Sequence, residues 1–518
     1  MTPQPRVMHI KPLYHDRCCV APSPEVAASM AEAARQLEEQ PLAGGLSVRL
    51  MLARPEGRHL PRGFNDGVIY PPERIAALSG ELRLSPESAR LAQRLAPTPP
   101  QGELRLIVLL VDFDDNRFRD ADALRTNLQA MLFSQNVFAT GSLNDFYREA
   151  ASGKVWFSGT IAGPYRAPRP YTFYTNRRSG TGAYPNNTQR LVEEIVTLAD
   201  ADVDYAQFDV NGDSFVDGLV LVHAGPGAET VIDPNVRANS IWSHKWTTNR
   251  ELTHDNTHIY AYLTVPEESN IGVWAHELGH LIFGWPDLYD IDNSSEGLGD
   301  FCLMAGGSWN ALGRRPAHPS AWCKQHHGWV QVHTLTGNKR VVIPPVETDP
   351  QVYKLWTRGQ PAEEYFLLEN RQRIGFDDNL PDTGLAIYHV DETQEDNSQE
   401  SHYLVGLKQA DGRNDLENAR NRGDNTDLWP LDDKHTFDAN STPNSNAHNG
   451  ALTFVSVANI ALEGGQPTGP HNITADITVD NVLPDDNGDN GKTVPETTGC
   501  LEALTALIRA LFRSGSGS

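Results

Sequence analysis

The sequence has few cysteines, no long apolar run and no excess of positive charge, and each absence excludes a class of protein. Five cysteines in 518 residues are too few for a disulfide scaffold, and their spacing forms no Cys-x-x-Cys metal knuckle. The longest uninterrupted apolar stretch, residues 106–111, is far shorter than the roughly 20 residues that span a bilayer. We therefore expect no transmembrane segment.

The charge balance argues against nucleic acid as a partner. The chain has 43 Lys and Arg against 67 Asp and Glu, a formal charge of −24, and such a surplus repels phosphate backbones. The N-terminal residues 1–14 contain Arg6 and Lys11 but lack the apolar run of roughly 7 to 15 residues found in secretory signals. Export is therefore not indicated by the N-terminus.

Hydrophobic patterning predicts an α+β domain followed by a β-rich, sandwich-like domain. Helical spacing at 24–39 and 189–201 and buried strands at 104–113 and 219–223 mix both element types. Beyond Trp329, short alternating runs predict strands at 341–343, 365–368, 385–388 and 452–455. We divide the chain into an N-terminal segment and linker (1–100), an α+β domain (101–330), a β-rich domain (331–482), and an acidic linker with a short amphipathic tail (483–518).

The motif with the most specific chemistry is His276-Glu277-Leu278-Gly279-His280. On a helix, residues four apart lie one turn above each other, so both imidazoles can bind one zinc ion at about 2.0 to 2.1 Å. Glu277 lies beside that point and can take a proton from a zinc-bound water, whose pKa zinc lowers to about 7. The same motif occurs in proteins that bind no metal, so its surroundings decide the interpretation.

The residues after His280 can deliver a third ligand. Gly284 can end the helix and Pro286 prevents its continuation, so the chain turns back. Asp287 is the best candidate because its oxygen suits zinc and leaves a fourth position open for water, and Asp290 is the alternative. Farther along, Met304 stands between an apolar segment and a glycine turn, as in a hydrophobic floor beneath a metal site.

With these motifs the sequence resembles the immune inhibitor A family of zinc metallopeptidases, a metzincin-like group with this histidine motif, an acidic third ligand and a Met-turn. Further similar segments are residues 141–149, 220–225, 241–246, 319–329, 364–371, 384–391 and 421–424. The resemblance covers roughly residues 100 to 480 and implies a zincin-like catalytic domain that cleaves proteins. Gly284 lies four residues after His280, where the family commonly has three, so we expect a turn one residue longer.

The resemblance also implies export and an N-terminal propeptide. A thiolate from Cys18 or Cys19 in that segment can occupy the open position of zinc and block the enzyme, although thiols without such a role are commoner.

A second metal is suggested by residues 209–217, where Asp209, Asn211, Asp213 and Asp217 alternate around a glycine, as in calcium loops. The terminal glutamate of an EF-hand is missing, and a solvated acidic turn is the alternative. Calcium there would stabilise the fold and take no part in catalysis.

We predict a zinc endopeptidase in which His276, His280 and Asp287 hold the metal and Glu277 activates water. Its expected partners are protein or peptide substrates, and its oligomeric state is open. Two alternatives stand beside it. One is a noncatalytic binding protein on the same scaffold, against which the intact motif argues. The other is an intracellular processing peptidase with one dedicated substrate, which the N-terminus leaves open.

Overall fold

A computed structural model of the chain describes residues 18–38 and 100–480, apart from 292, 395 and 465–469. All described residues belong to one unit, which ends at Asp480. Residues 97–99 of the linker predicted at 97–100 lie outside the described residues, as does the amphipathic tail. Within the described part of the chain, none of the helices is long and apolar enough to cross a bilayer.

The two helices predicted from hydrophobic spacing are both present in the structure. The helix predicted at 24–39 is present over residues 24–38, and residue 39 lies outside the described residues. The helix predicted at 189–201 is shorter by two residues at its end. The helices are α1 Pro24–Glu38, α2 Ala121–Phe133, α3 Leu143–Ala150, α4 Tyr171–Thr175, α5 Thr188–Ala199, α6 Pro234–Ala238, α7 Ile271–Leu281 and α8 Ala321–His326.

A six-stranded sheet forms the centre of the predicted catalytic region. Its strands are β1 Cys18–Cys19, β2 Gly102–Asp112, β3 Val155–Arg166, β4 Leu219–His223, β5 His244–His254 and β6 Thr257–Pro266, in the order β1-β5-β6-β4-β2-β3. Strands β3, β2, β4 and β6 run parallel, whereas β5 is antiparallel to β6 and β1 is antiparallel to β5.

Strand β2 is apolar in nearly every position because both of its faces are buried. Leu106, Val108 and Leu110 lie in one core, and Ile107 and Leu109 lie in another. A parallel strand covered on both sides is expected to show such a run. The predicted strand at 104–113 is therefore confirmed, and the fold is mixed α/β.

Residues after 330 contribute eight further strands to two sheets. They are β7 Gln331–Thr334, β8 Lys339–Ile343, β9 Gln351–Leu355, β10 Glu364–Arg371, β11 Gly384–Asp391, β12 Val405–Leu407, β13 Ser456–Leu462 and β14 Ile473–Thr478. The sheets have the orders β12-β11-β10-β9-β7 and β13-β14-β8. Side chains from both sheets, including Ile343, Phe366 and Ile473, pack in one apolar cluster. The strand predicted at 452–455 is wrong: β13 begins at Ser456, and Phe454 has a left-handed φ of 59° that interrupts an extended chain.

The largest apolar core contains residues from both sides of the predicted boundary at 330. Trp274 and Phe301 share it with Tyr365 and Tyr388. The two regions are therefore joined by a common core, and the boundaries proposed from sequence stay predictions.

Candidate metal centre

The histidine motif lies on α7, and every residue of that helix is buried. A helix without an exposed face must fit closely against its surroundings. Gly279 provides that fit, because a Cβ atom there would lie 2.5 Å from Met304 Sδ. Met304 therefore packs directly against the turn between the two histidines, as its place in the sequence predicted.

Gly284 ends the helix and returns the chain toward the histidines. Its φ is +66°, a left-handed conformation that glycine adopts without strain. The Gly284 N–H donates to the His280 carbonyl at 3.2 Å, and the Trp285 N–H donates to the Gly279 carbonyl at 3.1 Å. This turn brings Asp287 to the face of α7 that carries both histidines.

Three possible ligand atoms meet at one point. His276 Nε2 lies 3.1 Å from Asp287 Oδ1 and 3.0 Å from His280 Nε2, and His280 Nε2 lies 3.2 Å from Asp287 Oδ1. Ligands of a tetrahedral ion with bonds of about 2.0 to 2.1 Å are separated by about 3.3 Å. The structure does not bring Asp290 into this group, since its Oδ2 accepts hydrogen bonds from Ser294 and Ser295 at 2.8 Å.

The second nitrogen of each ring is held by a main-chain carbonyl. His276 Nδ1 lies 3.0 Å from the Leu303 carbonyl, and His280 Nδ1 lies 2.6 Å from the Trp285 carbonyl. Because a carbonyl only accepts, both Nδ1 atoms carry a proton, and in the neutral ring each Nε2 then presents a lone pair that can bind a metal. Sequence reasoning missed these partners, since any residue supplies a carbonyl.

The pKa values of Glu277 and Asp287 are shifted in opposite directions by their surroundings. Burial raises the pKa of Glu277 well above its usual range, and the charge of Asp287 raises it further. Burial also acts to raise the pKa of Asp287, but His280 and His276 outweigh it and lower that pKa. Glu277 Oε1 accepts the Val20 N–H at 2.8 Å, whereas Oε2 is buried without a hydrogen-bond partner among the described residues.

The N-terminal segment contributes a fourth possible ligand. Cys18 Sγ, a ring nitrogen of His280 and a carboxylate oxygen of Asp287 all lie within 4.8 Å of one another. Sequence analysis named Cys18 and Cys19 together, and the structure places Cys18 in the ligand group. Tyr289, which sequence reasoning missed, donates its hydroxyl to the Cys19 carbonyl at 2.8 Å. Its position between the two candidate aspartates was the available signal.

The predicted calcium residues come together in one turn, where main-chain N–H groups bind their oxygens. Asp209 accepts from Gly212, Asp213 and Ser214 at 2.7 to 3.0 Å. Asp217 accepts from the Val210 N–H and from the Asn211 side chain, both at 2.7 Å. Hydrogen bonding accounts for this turn, and calcium stays a prediction.

A second group with metal-like spacing lies on β10 and β11 and in the loop before β13. Glu364 Oε1 accepts from His389 Nε2 and from His448 Nδ1, each at 2.9 Å. The His448 ring stacks on those of His389 and His402, with centroids 3.9 Å apart in both pairs. One carboxylate oxygen thus satisfies both imidazoles without an ion, in contrast to the centre on α7.

Comparison with known proteins agrees with the family resemblance. Residues 104–338 match the family model described as the immune inhibitor A peptidase M6 catalytic domain. Immune inhibitor A of Bacillus thuringiensis subsp. alesti is 28% identical over 269 residues, which covers 41% of this chain and 39% of that relative. The match thus spans about two fifths of the relative's length. The resemblance to the immune inhibitor A peptidase M6 family that the motifs predicted is therefore confirmed over residues 104–338.

Proposed function

We propose that this protein is a zinc-dependent endopeptidase whose metal is held by His276, His280 and Asp287. The observation that carries the proposal is the convergence of three acceptor atoms, 3.0 to 3.2 Å apart. Lone pairs and a carboxylate charge at that distance, in a buried site, repel one another unless a metal ion or a shared proton lies between them. Zinc, when bound, polarises the substrate carbonyl and lowers the pKa of a coordinated water to about 7.

Glu277 is the proposed proton carrier. Its buried Oε2 has no hydrogen-bond partner among the described residues, so this atom can accept a proton from the attacking water. Glu277 then returns the proton to the leaving amine, which completes hydrolysis of the peptide bond.

Protein substrates are proposed from the family and from the edge of the sheet. Strand β5 pairs on one side with β6 and on the other with the two residues of β1. An extended peptide binds such an edge through main-chain hydrogen bonds. A cavity of about 390 Å³ is lined by Ser23, Glu229, Val273 and Trp309, among others. Export rests on the family resemblance alone.

Two further proposals concern the β-rich region and a second metal ion. We propose that residues 331–482 form a sandwich-like β domain, because both of their sheets contribute to one apolar cluster. We also propose a stabilising calcium ion at 209–217, supported by the charges of Asp209 and Asp213, which raise the pKa of Asp217 beyond the effect of burial. Calcium should then raise the melting temperature of the wild type, but not that of Asp213→Asn.

The catalytic proposal is tested by cleavage of unfolded casein by the full chain. Because Cys18 lies at the centre, the assay uses both the wild type and Cys18→Ser. Cleavage should stop with a chelator, return with zinc, and fall by about 10² to 10⁴ in Glu277→Gln. Exposed Glu363→Gln is the matched control and should cleave normally.

The zinc content of each protein is measured in the same samples. Glu277→Gln should bind as much zinc as the wild type. If zinc-loaded Cys18→Ser cleaves no casein, a general endopeptidase is ruled out, and a binding protein and a peptidase with one dedicated substrate remain. If Glu277→Gln cleaves at the normal rate, the assignment of the base is wrong.

A further inference from the structure

Residues 18–23 show which side chains an extended peptide meets along the edge of β5. The first two residues pair antiparallel with β5, and the Ser23 N–H donates to the Glu229 carbonyl at 2.9 Å. Hydrogen bonds to the main chain hold an extended peptide at a sheet edge whatever its side chains are. The main-chain contacts of this segment therefore indicate the contacts of a bound substrate.

One peptide unit of this segment touches two polar groups of the site at once. Tyr289 donates its hydroxyl to the Cys19 carbonyl at 2.8 Å. The Val20 N–H, at the other end of the same peptide bond, donates to Glu277 Oε1 at 2.8 Å. Because Glu277 is the proposed proton carrier, the unit between residues 19 and 20 lies where a substrate bond would be cleaved.

The next two carbonyls of the segment are bound by tryptophans. Trp242 Nε1 donates to the carbonyl of residue 20 at 2.9 Å, and Trp309 Nε1 donates to that of residue 21 at 2.8 Å. Neither carbonyl belongs to the peptide unit that contacts Glu277. The two indoles therefore position the peptide, whereas the Tyr289 hydroxyl lies on the carbonyl next to the proton carrier.

The main chain around Tyr289 is closely packed. Tyr289 follows Asp287 by two residues and is 5% exposed. The Leu288 N–H donates to the Met304 carbonyl at 2.8 Å, and a Cβ atom on Gly297 would lie 2.7 Å from Tyr289 Cα. A donor that is already in place needs no rearrangement when charge develops beside it, which is the condition for strong electrostatic stabilisation.

We propose that Tyr289 is a catalytic residue that stabilises the carbonyl oxygen of the bond being cleaved. This inference rests on the proposed function. As the water oxygen bonds to the carbonyl carbon, Glu277 takes a proton from the water and the carbonyl oxygen becomes negatively charged. The Tyr289 hydroxyl donates a hydrogen bond to that oxygen. When the carbon–nitrogen bond breaks, the carbonyl forms again and the leaving nitrogen takes the proton from Glu277, which gives a carboxylic acid and an amine.

A tyrosine that only anchors residues 18–23 is the alternative, and it predicts the opposite change in cleavage. Loss of an anchoring hydrogen bond would leave the segment less tightly bound and the edge of β5 more accessible to substrate. Tyr289→Phe would then cleave casein as fast as the unsubstituted protein or faster. Loss of a hydrogen bond to the developing charge instead lowers kcat by about 10² to 10³.

The test measures kcat and KM of the full chain for unfolded casein, with zinc-loaded Cys18→Ser as the reference protein. In that background, Tyr289→Phe should lower kcat by about 10² to 10³ and leave KM within about threefold. Trp309→Phe, which removes the bond to residue 21, should chiefly raise KM. Tyr165→Phe is the matched control, because it removes a hydroxyl on β3 that donates to Asp202 at 3.1 Å, and it should leave kcat and KM unchanged.

Binding of a phosphonamidate peptide gives a readout that does not depend on turnover. Such a peptide carries a tetrahedral, negatively charged group in place of the bond to be cleaved, so it resembles the transition state. Calorimetry should show that Tyr289→Phe binds it at least about tenfold more weakly than the reference protein. Tyr165→Phe should bind it normally, and all samples should hold the same amount of zinc.

The outcomes separate this inference from the proposed function. A normal or higher kcat in Tyr289→Phe, or unchanged phosphonamidate binding, would overturn the role of Tyr289. The zinc endopeptidase would still stand if Glu277→Gln loses cleavage in the same assay. Loss of zinc from Tyr289→Phe would also overturn the inference, since the tyrosine would then support the metal centre. A zinc-loaded reference protein that cleaves no casein would overturn the endopeptidase proposal, and this inference with it.

Discussion

Two buried clusters of ionisable side chains are built in opposite ways. In the cluster around Arg371, a guanidinium donates to Asp377 through Nε and Nη2 at 2.9 Å, and its Nη1 lies 3.1 Å from Glu369 Oε1. At the metal centre, His276, His280 and Asp287 turn three acceptor atoms toward one another. The first cluster contains its own cation, whereas in our proposal the second receives one from solution.

The Arg371 cluster stabilises the fold, whereas we propose that the cluster on α7 binds a catalytic metal. Arg371 is fully buried and also donates to the Phe301 carbonyl at 3.1 Å, so it ties β10 to the chain just before Met304. Lys324 adds a second cation 3.1 Å from Glu369. Burial acts to raise the pKa of Asp377, but Arg371 and His318 outweigh it and lower that pKa to about 2.

The largest effect on stability is expected from Arg371→Met. The substitution leaves the carboxylates of Asp377 and Glu369 buried without their guanidinium partner, which costs about 3 to 5 kcal/mol. Urea unfolding of the metal-free protein measures it. Arg340→Met, in an ion pair with Asp476 where Arg340 is 60% exposed, is the control and should cost at most about 1 kcal/mol. Equal losses would remove the contrast between buried and exposed pairs.

A smaller effect is expected from Asp287→Asn, which removes one of the three acceptors. Zinc affinity should fall at least about tenfold, or about 1.4 kcal/mol, because a neutral amide is a poorer zinc ligand than a carboxylate. Equilibrium competition with a chelator measures it. Asp290→Asn is the matched control and should bind zinc normally, and the reverse pattern would make Asp290 the third ligand.

The smallest expected effect is on the pH dependence of the free energy of unfolding, which tests the role of Asp377 in the Arg371 cluster. Asp377 has a folded-state pKa of about 2, below the value of about 3.9 in an unfolded chain. Its contribution to stability is therefore present above about pH 4 and is lost as the pH falls toward 2. Urea unfolding at pH 5 and pH 3, with a chelator present, should show a smaller acid loss in Asp377→Asn than in the wild type. An equal loss would mean that other carboxylates cause it.

The sequence predicted what local spacing determines. Four-residue spacing predicted that His276 and His280 share one face of α7, and glycine chemistry predicted the turn at Gly284 that brings back Asp287. The apolar run at 104–113 likewise predicted β2, because a strand that is buried on both faces has apolar side chains on both faces. These features depend on residues close together in the chain.

Contacts between residues that are far apart in the chain could not be predicted from local sequence patterns. Cys18 lies next to His280 only because β1 pairs with β5, and no local pattern encodes that pairing. The carbonyls that hold the histidine rings belong to Leu303 and Trp285, and their side chains give no signal. The core shared across residue 330 likewise appears only in three dimensions.

The most direct test of the zinc site is a titration of metal-free Cys18→Ser with zinc, with casein cleavage measured at each step. The account predicts that cleavage is absent without zinc and rises in proportion to bound zinc until about one ion per chain is held, as in a three-ligand catalytic site. Glu277→Gln in the same background should take up the same zinc and cleave at least about 100-fold more slowly. Cleavage by the metal-free protein, or zinc uptake that leaves cleavage unchanged, would contradict the central claim.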